Sequence, residues 1–189
     1  MPKKTSTGSA LCLKITLDEV KPPVWRRVLI PPDASLSYLH AVIQDAMGWG
    51  EEHLYDFMVG SGRGKSLLYT SDSEDHAIFE TIAVTALLPR VKSKTRYVYD
   101  FGDDWQHTVV LEKKMDPPAG QRLPVCLGGE GACPPEDSGG VWGYGAKLEA
   151  FADPTHEYHD DAVEWLGDDF DSTFFDLEAV NRVFAKWRQ

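Results

Sequence analysis

Apolar and polar positions alternate at the start of the chain. Leu11, Leu13, Ile15 and Leu17 fall on one side, and Cys12, Lys14 and Thr16 on the other. A period of two predicts a strand with one buried face. Lys21-Pro22-Pro23 is a turn signal, and Val24 to Ile30 gives a second strand. Pro31-Pro32 ends it, because proline brings no amide hydrogen to a ladder. The period then lengthens. Ser35 is placed to cap a helix whose Leu36, Leu39, Ile43 and Met47 share one face, and Gly48 stands where a left-handed terminating residue is wanted. From His53 to Val59 the alternation returns, with Tyr55, Phe57 and Val59 in phase. Strand, strand, helix, strand is a β-grasp-like opening.

Further on, Gly60 to His76 reads as a polar loop, and Ile78 to Leu88 is ambiguous, with Thr85 able to cap a short turn. Tyr97 to Glu112 reads as a hairpin. A three-residue turn of Gly102, Asp103 and Asp104 sets Phe101 opposite Trp105 and Tyr99 opposite His107. Tyr97, Tyr99, Phe101, Trp105, His107, Val109 and Leu111 then line one face. Asp116 to Gly145 is dense in Pro and Gly and reads as an ordered loop. Helices follow at about Ala146 to Ala152, from Thr155 to Leu166, and after Asp176. The expected fold is α+β: a mixed or antiparallel sheet with that opening, a central aromatic hairpin and C-terminal helices. Residues 1–9 are read as a flexible tail and 10–189 as a single domain.

Composition narrows the function classes. A hydrophobic fraction of 42% with six Trp, seven Tyr and eight Phe demands a packed core and excludes wholesale disorder. A net charge of −11 disfavours nucleic acid, whose phosphates need clustered Lys and Arg; Arg26–Arg27 and Arg90–Arg96 are short patches. No apolar run is long enough for a membrane span, and Met1 to Ser9 lacks a signal-peptide core, so a cytoplasmic location is expected. Three cysteines fit a reducing compartment better than a disulfide framework.

Candidate chemistry gathers in two segments. On the hairpin, His107 sits within an aromatic face, which reads either as core or as the wall of a pocket. Asp100, Asp103 and Asp104 with His107 offer oxygen and nitrogen ligands for a divalent metal, although turn aspartates also serve turn amides. In the loop, Cys126 and Cys133 are too widely spaced for a structural zinc knuckle, and zinc would have to recruit His107, His156 or His159. Glu136 and Asp137 follow, with Tyr144 beyond. Gly60 to Ser66 lacks the first glycine of a phosphate loop. His156-Glu157-Tyr158-His159 is one residue short of a zincin helix, and Asp169 to Val180 fails the calcium-loop pattern.

Tyr-x-Tyr-Asp-Phe-Gly-Asp-x-Trp-x-His at Tyr97–His107 resembles the signature of the plasmid pRiA4b open-reading-frame-three-like family. Cys-x6-Cys-Pro-Pro-Glu-Asp-x-Gly-Gly-x-x-Gly-Tyr at Cys126–Tyr144 resembles it too. Pro22 to Arg27, Met47 to Trp49, His53 to Phe57, Asp153-Pro154, His156, His159, Glu164-Trp165 and Phe170-Asp171 extend the likeness from Leu11 to Phe184. The resemblance implies a family largely without assigned biochemistry, met on plasmids and mobile elements, and carries over no catalytic residue. The function expected first is a non-enzymatic binding or adaptor module for a protein or small molecule, its site drawn from Tyr99, Asp100, Asp103, Asp104, Trp105, His107, Cys126, Cys133, Glu136, Asp137 and Tyr144. The alternative is a metal-dependent, hydrolase-like enzyme using the acidic turn and His107. Candidate metal ligands are Asp103, Asp104, His107, His156 and His159, and no cofactor is assigned beyond a divalent metal as an option. If a site exists, it is expected where the Gly102–Asp104 turn meets the Cys126–Tyr144 loop.

Overall fold

In the computed structural model, which describes residues 10–61, 65–70 and 81–187, seven strands form one antiparallel sheet. They are β1 (Ala10–Leu17), β2 (Val24–Ile30), β3 (Tyr55–Ser61), β4 (Lys65–Thr70), β5 (Lys94–Tyr99), β6 (Trp105–Met115) and β7 (Val125–Glu130), in the spatial order β4-β3-β5-β6-β1-β2-β7. The helices are α1 (Leu36–Met47), the single turn α2 (Val84–Leu87), α3 (Gly140–Ala152), α4 (His159–Leu166) and α5 (Leu177–Lys186).

The alternation of the first strand decides the layering. Leu11, Leu13, Ile15 and Leu17 are buried in the main core beside Val24, Val28 and Ile30 of β2. Inner residues of α1, Tyr144 of α3 and Phe184 of α5 join the same core. The helices therefore cover one face of the sheet. Among the described residues, the opposite face carries a small apolar cluster around Ala10, Cys12, Leu29 and Val125. Each fully buried Leu, Ile or Val contributes about 1.5–3 kcal/mol.

Helix α1 forms as its sequence dictates. Ser35 Oγ accepts from the Tyr38 amide at 3.2 Å, and Gly48 at φ 93° ends the helix with its amide donating to Gln44 O. Arg26 completes that terminus: its Nε donates to Ala46 O at 2.8 Å and its Nη1 to Glu130 O at 2.9 Å. A cation at a helix C-terminus meets the negative end of the dipole. Arg26 is buried, and Arg27 pairs with Glu112 at 2.7 Å, so this dipeptide is not a basic surface patch.

Several expectations need correcting. The β-β-α-β order is present, but β3 pairs with β4 and β5, and β5 and β6 separate it from β1. The hairpin closes with Tyr99 opposite Trp105 and Tyr97 opposite His107, leaving Asp100 to Asp104 as a five-residue connection. A shift of two residues preserves faces, so Tyr97, Tyr99, Trp105, His107, Val109 and Leu111 are still buried together. Phe101, by contrast, is carried off the sheet into the turn, 46% exposed. Lys65–Thr70 is a strand within the segment read as loop, and β7 lies inside the Pro/Gly-rich stretch. Helix α3 starts at Gly140 rather than at Ala146, and α4 at His159 rather than near Thr155. The tail over residues 1–9, and residues 62–64 and 71–80 of the loop and ambiguous segments, lie outside the described residues. Among the described residues no helix is long and apolar enough to cross a membrane.

Candidate functional site

The five-residue connection between β5 and β6 is built on Asp100. Its backbone is left-handed at φ 56°, a conformation that Asp tolerates better than most residues. Its Oδ1 accepts from the amides of Gly102 at 2.9 Å and Asp103 at 3.3 Å, an aspartate serving its own turn. The Asp100 amide donates to Leu54 O at 3.0 Å and ties the connection to the segment entering β3. That contact sets His53 beside Asp100.

Helix α3 supplies the third wall. Asp103 Oδ2 accepts from the Gly139 amide at 3.0 Å, drawing the loop before α3 onto the turn. Approach here is close enough that a Cβ on Gly140 would stand 2.4 Å from Asp103 O, and Gly140 is itself left-handed at φ 67°. Only glycine fits both demands. Asp137, also left-handed at φ 58°, is thereby brought over His53.

The outcome is a group of three donors. His53 Nε2 lies 3.7 Å from Asp100 Oδ2 and 3.6 Å from Asp137 Oδ1, and the three atoms lie within 4.8 Å of one another. His53 Nε2 is buried and has no hydrogen-bond partner, since both carboxylates stand beyond hydrogen-bonding distance. Metal–ligand bonds of about 2.0–2.2 Å would place neighbouring donors about 3.0–3.5 Å apart; His53 Nε2 already stands close to that spacing from each carboxylate. One nitrogen and two carboxylate oxygens suit zinc, which takes imidazole readily, or manganese, which favours the oxygens. Asp100 is nearly enclosed, whereas the Asp137 side chain is 67% exposed, which leaves the group open to solvent on one side.

The other candidate residues occupy different environments. Asp104, at φ 53°, has its Oδ2 on Gln106 Nε2 at 2.7 Å, so Asp103 and Asp104 each hold a partner outside the turn. Glu136 accepts from the Tyr99 hydroxyl and, through its other oxygen, from the Gly50 amide at 3.0 Å. Burial first, and Glu136 second, hold the Tyr99 phenol far above its ordinary value. Trp105 and His107 are completely buried, with no partner for Trp105 Nε1 or His107 Nε2. Burial drives the His107 imidazole down to about 3. Neutral at ordinary pH, it directs Nδ1 at Trp105 O, 3.0 Å away, and packs edge-on against Trp49. Tyr144 is buried with its hydroxyl unpartnered.

Cys126 and Cys133 are free thiols, and burial raises both, Cys133 strongly, against the opposing pull of Arg26. Asn181 of α5 brackets Cys126 on edge strand β7, accepting from its amide at 2.9 Å and donating to its carbonyl at 3.0 Å. His156 Nδ1 accepts from the Tyr158 amide, and His159 Nδ1 lies 2.9 Å from Ala150 O. Among the described residues, neither they nor the cysteines gather into a three-ligand group. His53 was absent from the sequence candidates. Its one signal is position: it enters the strand that pairs with the carboxylate-bearing hairpin.

Fold and site together describe an α+β protein in which helices cover one face of an antiparallel sheet and a His-Asp-Asp group lies at one end of its central hairpin. The chain belongs to the plasmid pRiA4b ORF-3-like protein family, whose model matches residues 9–179. It is 40% identical over 187 residues, 95% of each chain, to the uncharacterized protein y4hQ of Sinorhizobium fredii (strain NBRC 101917 / NGR234). It also resembles the crystal structure of the protein of unknown function MM3350 from Methanosarcina mazei Go1, with a TM-score of 0.78 and 36% identity. That match covers 89% of this chain and 96% of the other.

Proposed function

We propose that the protein is a binding module organised around a divalent-cation site formed by His53, Asp100 and Asp137. The observation that carries this reading is the His53 Nε2 atom, buried without a hydrogen-bond partner between two carboxylate oxygens at 3.6 and 3.7 Å. A buried polar atom left unpaired costs about 1–3 kcal/mol, and an ion shared by all three groups removes that cost while neutralising the carboxylates. The open side at Asp137 leaves coordination positions for water or an oxygen-bearing ligand. A binding or adaptor role is favoured over a hydrolase built on the acidic turn, because Asp103 and Asp104 each have an oxygen engaged, on the Gly139 amide and Gln106 Nε2, and His107 is sealed in the core.

The test is the melting temperature of untagged protein with and without manganese, zinc, magnesium and calcium, together with elemental analysis of the purified chain. Manganese or zinc is expected to raise the midpoint, by the equivalent of about 2.7 kcal/mol at a hundredfold excess over Kd. The rise should vanish in Asp137→Asn and His53→Gln, and persist in Asp103→Asn/Asp104→Asn. An unresponsive parent protein, or a response that survives Asp137→Asn and His53→Gln, would refute the site.

A further inference from the structure

Trp142, on the first turn of α3, is 90% exposed. Burial of an indole is a large favourable term in folding, and this side chain forgoes it. Two grooves include it in their lining. One, of about 470 Å³, is lined by Asp18, Glu19, Asp103 and Asp104, with Arg96 as its single cation. The other, of about 540 Å³, has Val20, Val141 and Ala146 among its apolar lining, and shares Glu19, Val141 and Trp142 with the first. Its charged members are Glu19, Lys21 and Glu149.

Acid thus predominates in both grooves that the exposed indole lines. Among the described residues, none of the four carboxylates of the first groove forms an ion pair with Lys or Arg. Asp18, Asp103 and Asp104 each place one oxygen on a neutral donor, respectively Thr108 Oγ1, the Gly139 amide and Gln106 Nε2. Elsewhere the chain pairs indoles with cations. Lys14 Nζ and the Arg27 guanidinium lie 4.9 and 5.0 Å from the Trp25 ring centre, and Lys147 Nζ lies 5.1 Å from that of Trp165.

We propose that Trp142 and its two grooves dock a basic segment of a partner protein. A Lys or Arg lies over the indole, and neighbouring cations of the segment pair with Asp18, Glu19 and Asp104. Charge complementarity selects the occupant: the groove is acidic, and the chain's net charge of −11 draws a basic partner toward it and repels nucleic acid. Extent selects a polypeptide over a small cation, since two adjoining grooves that share one indole call for an occupant long enough to reach both. The aliphatic stems of Lys and Arg suit Val20, Val141 and Ala146. None of the three cation-site donors lines either groove, so the surface stands if that site fails.

The test uses the full chain and two synthetic twelve-residue peptides, one of Lys, Arg and Gly and one with Glu replacing every cation, with affinity measured by calorimetry at two salt concentrations. The basic peptide should bind and the acidic one should not. Trp142→Ala should weaken binding about tenfold or more without moving the melting temperature, because the side chain is exposed. Glu19→Gln/Asp104→Asn should weaken binding by a similar factor and flatten its salt dependence. Asp160→Asn/Glu164→Gln, on the exposed surface of α4, removes the same net charge elsewhere and should change affinity less than about twofold. Equal losses in the two double variants, an unaffected Trp142→Ala, or preferential binding of an oligonucleotide probe would overturn the proposal.

Discussion

His107 offers a sharp test of the core, because its burial has a pH signature. The imidazole is completely inaccessible, and desolvation lowers it from an ordinary value of 6.5 to about 3. In the unfolded chain it takes up a proton below about pH 6.5; in the folded chain it stays neutral until about pH 3. Between those limits the unfolded state binds one more proton, so stability falls as the solution is acidified. The contribution is fully present above pH 6.5 and is lost at about 1.4 kcal/mol per pH unit, or about 3 kcal/mol by pH 4. His107→Gln keeps an N–H donor for the Trp105 carbonyl and removes the titration. Urea midpoints of parent and variant, measured from pH 7.5 to 4, share every other titrating group, so their difference isolates the imidazole. The parent should show the steeper acid limb. Parallel curves would mean that His107 takes up its proton in the folded state, which a sealed core forbids.

Trp105→Ala should cost about 3–5 kcal/mol in urea unfolding, because a fully buried indole leaves a cavity, while Phe101→Ala should cost about 1 kcal/mol because that residue is half exposed in the turn. Similar losses at both positions would contradict the five-residue connection. Cys126 and Cys133, whose thiols burial pushes up, should resist alkylation in the folded protein at neutral pH and react only on unfolding. Prompt modification of either in native buffer would show that the segment from β7 to α3 opens.

The legible part of the sequence was the part governed by local rules. Period two placed β1 and β2, Ser35 and Gly48 marked both ends of α1, and Asp176 marked the start of α5, where it accepts from the Ala179 amide. The aromatic face of the hairpin survived an error in register because a slip of two leaves each side chain on its side. What escaped was set by tertiary approach. Strand β7 contains Gly128-Gly129, which reads as loop, yet a Cβ on Gly129 would meet the Phe175 ring at 2.7 Å and Trp25 O at 2.8 Å. Glycine there marks close packing over the strand. The first turn of α3 hides in the same way, because Gly140 answers to the Asp103 backbone and not to helix propensity. At the site, the meeting of hairpin turn and loop could be foreseen, and Asp100 and Asp137 were among its candidates. His53 depends on the pairing of β3 with β5, which no local pattern encodes.

The position of β1 has a consequence for how the chain is made. It is bonded on one flank to β2, which follows after a short turn, and on the other to β6, with Leu17 opposite His107 and Leu11 opposite Lys114. During translation the β1–β2 hairpin leaves the ribosome long before the strand that must lie against it. Its free edge, with a row of leucines and isoleucine on one side, stays open until the intervening helices and strands have been synthesised. Pairing across such a separation is slow, and a waiting edge invites foreign strands. The nascent polypeptide is therefore most vulnerable to aggregation in midsynthesis, and a chain truncated ahead of Trp105 would keep that vulnerability for its lifetime.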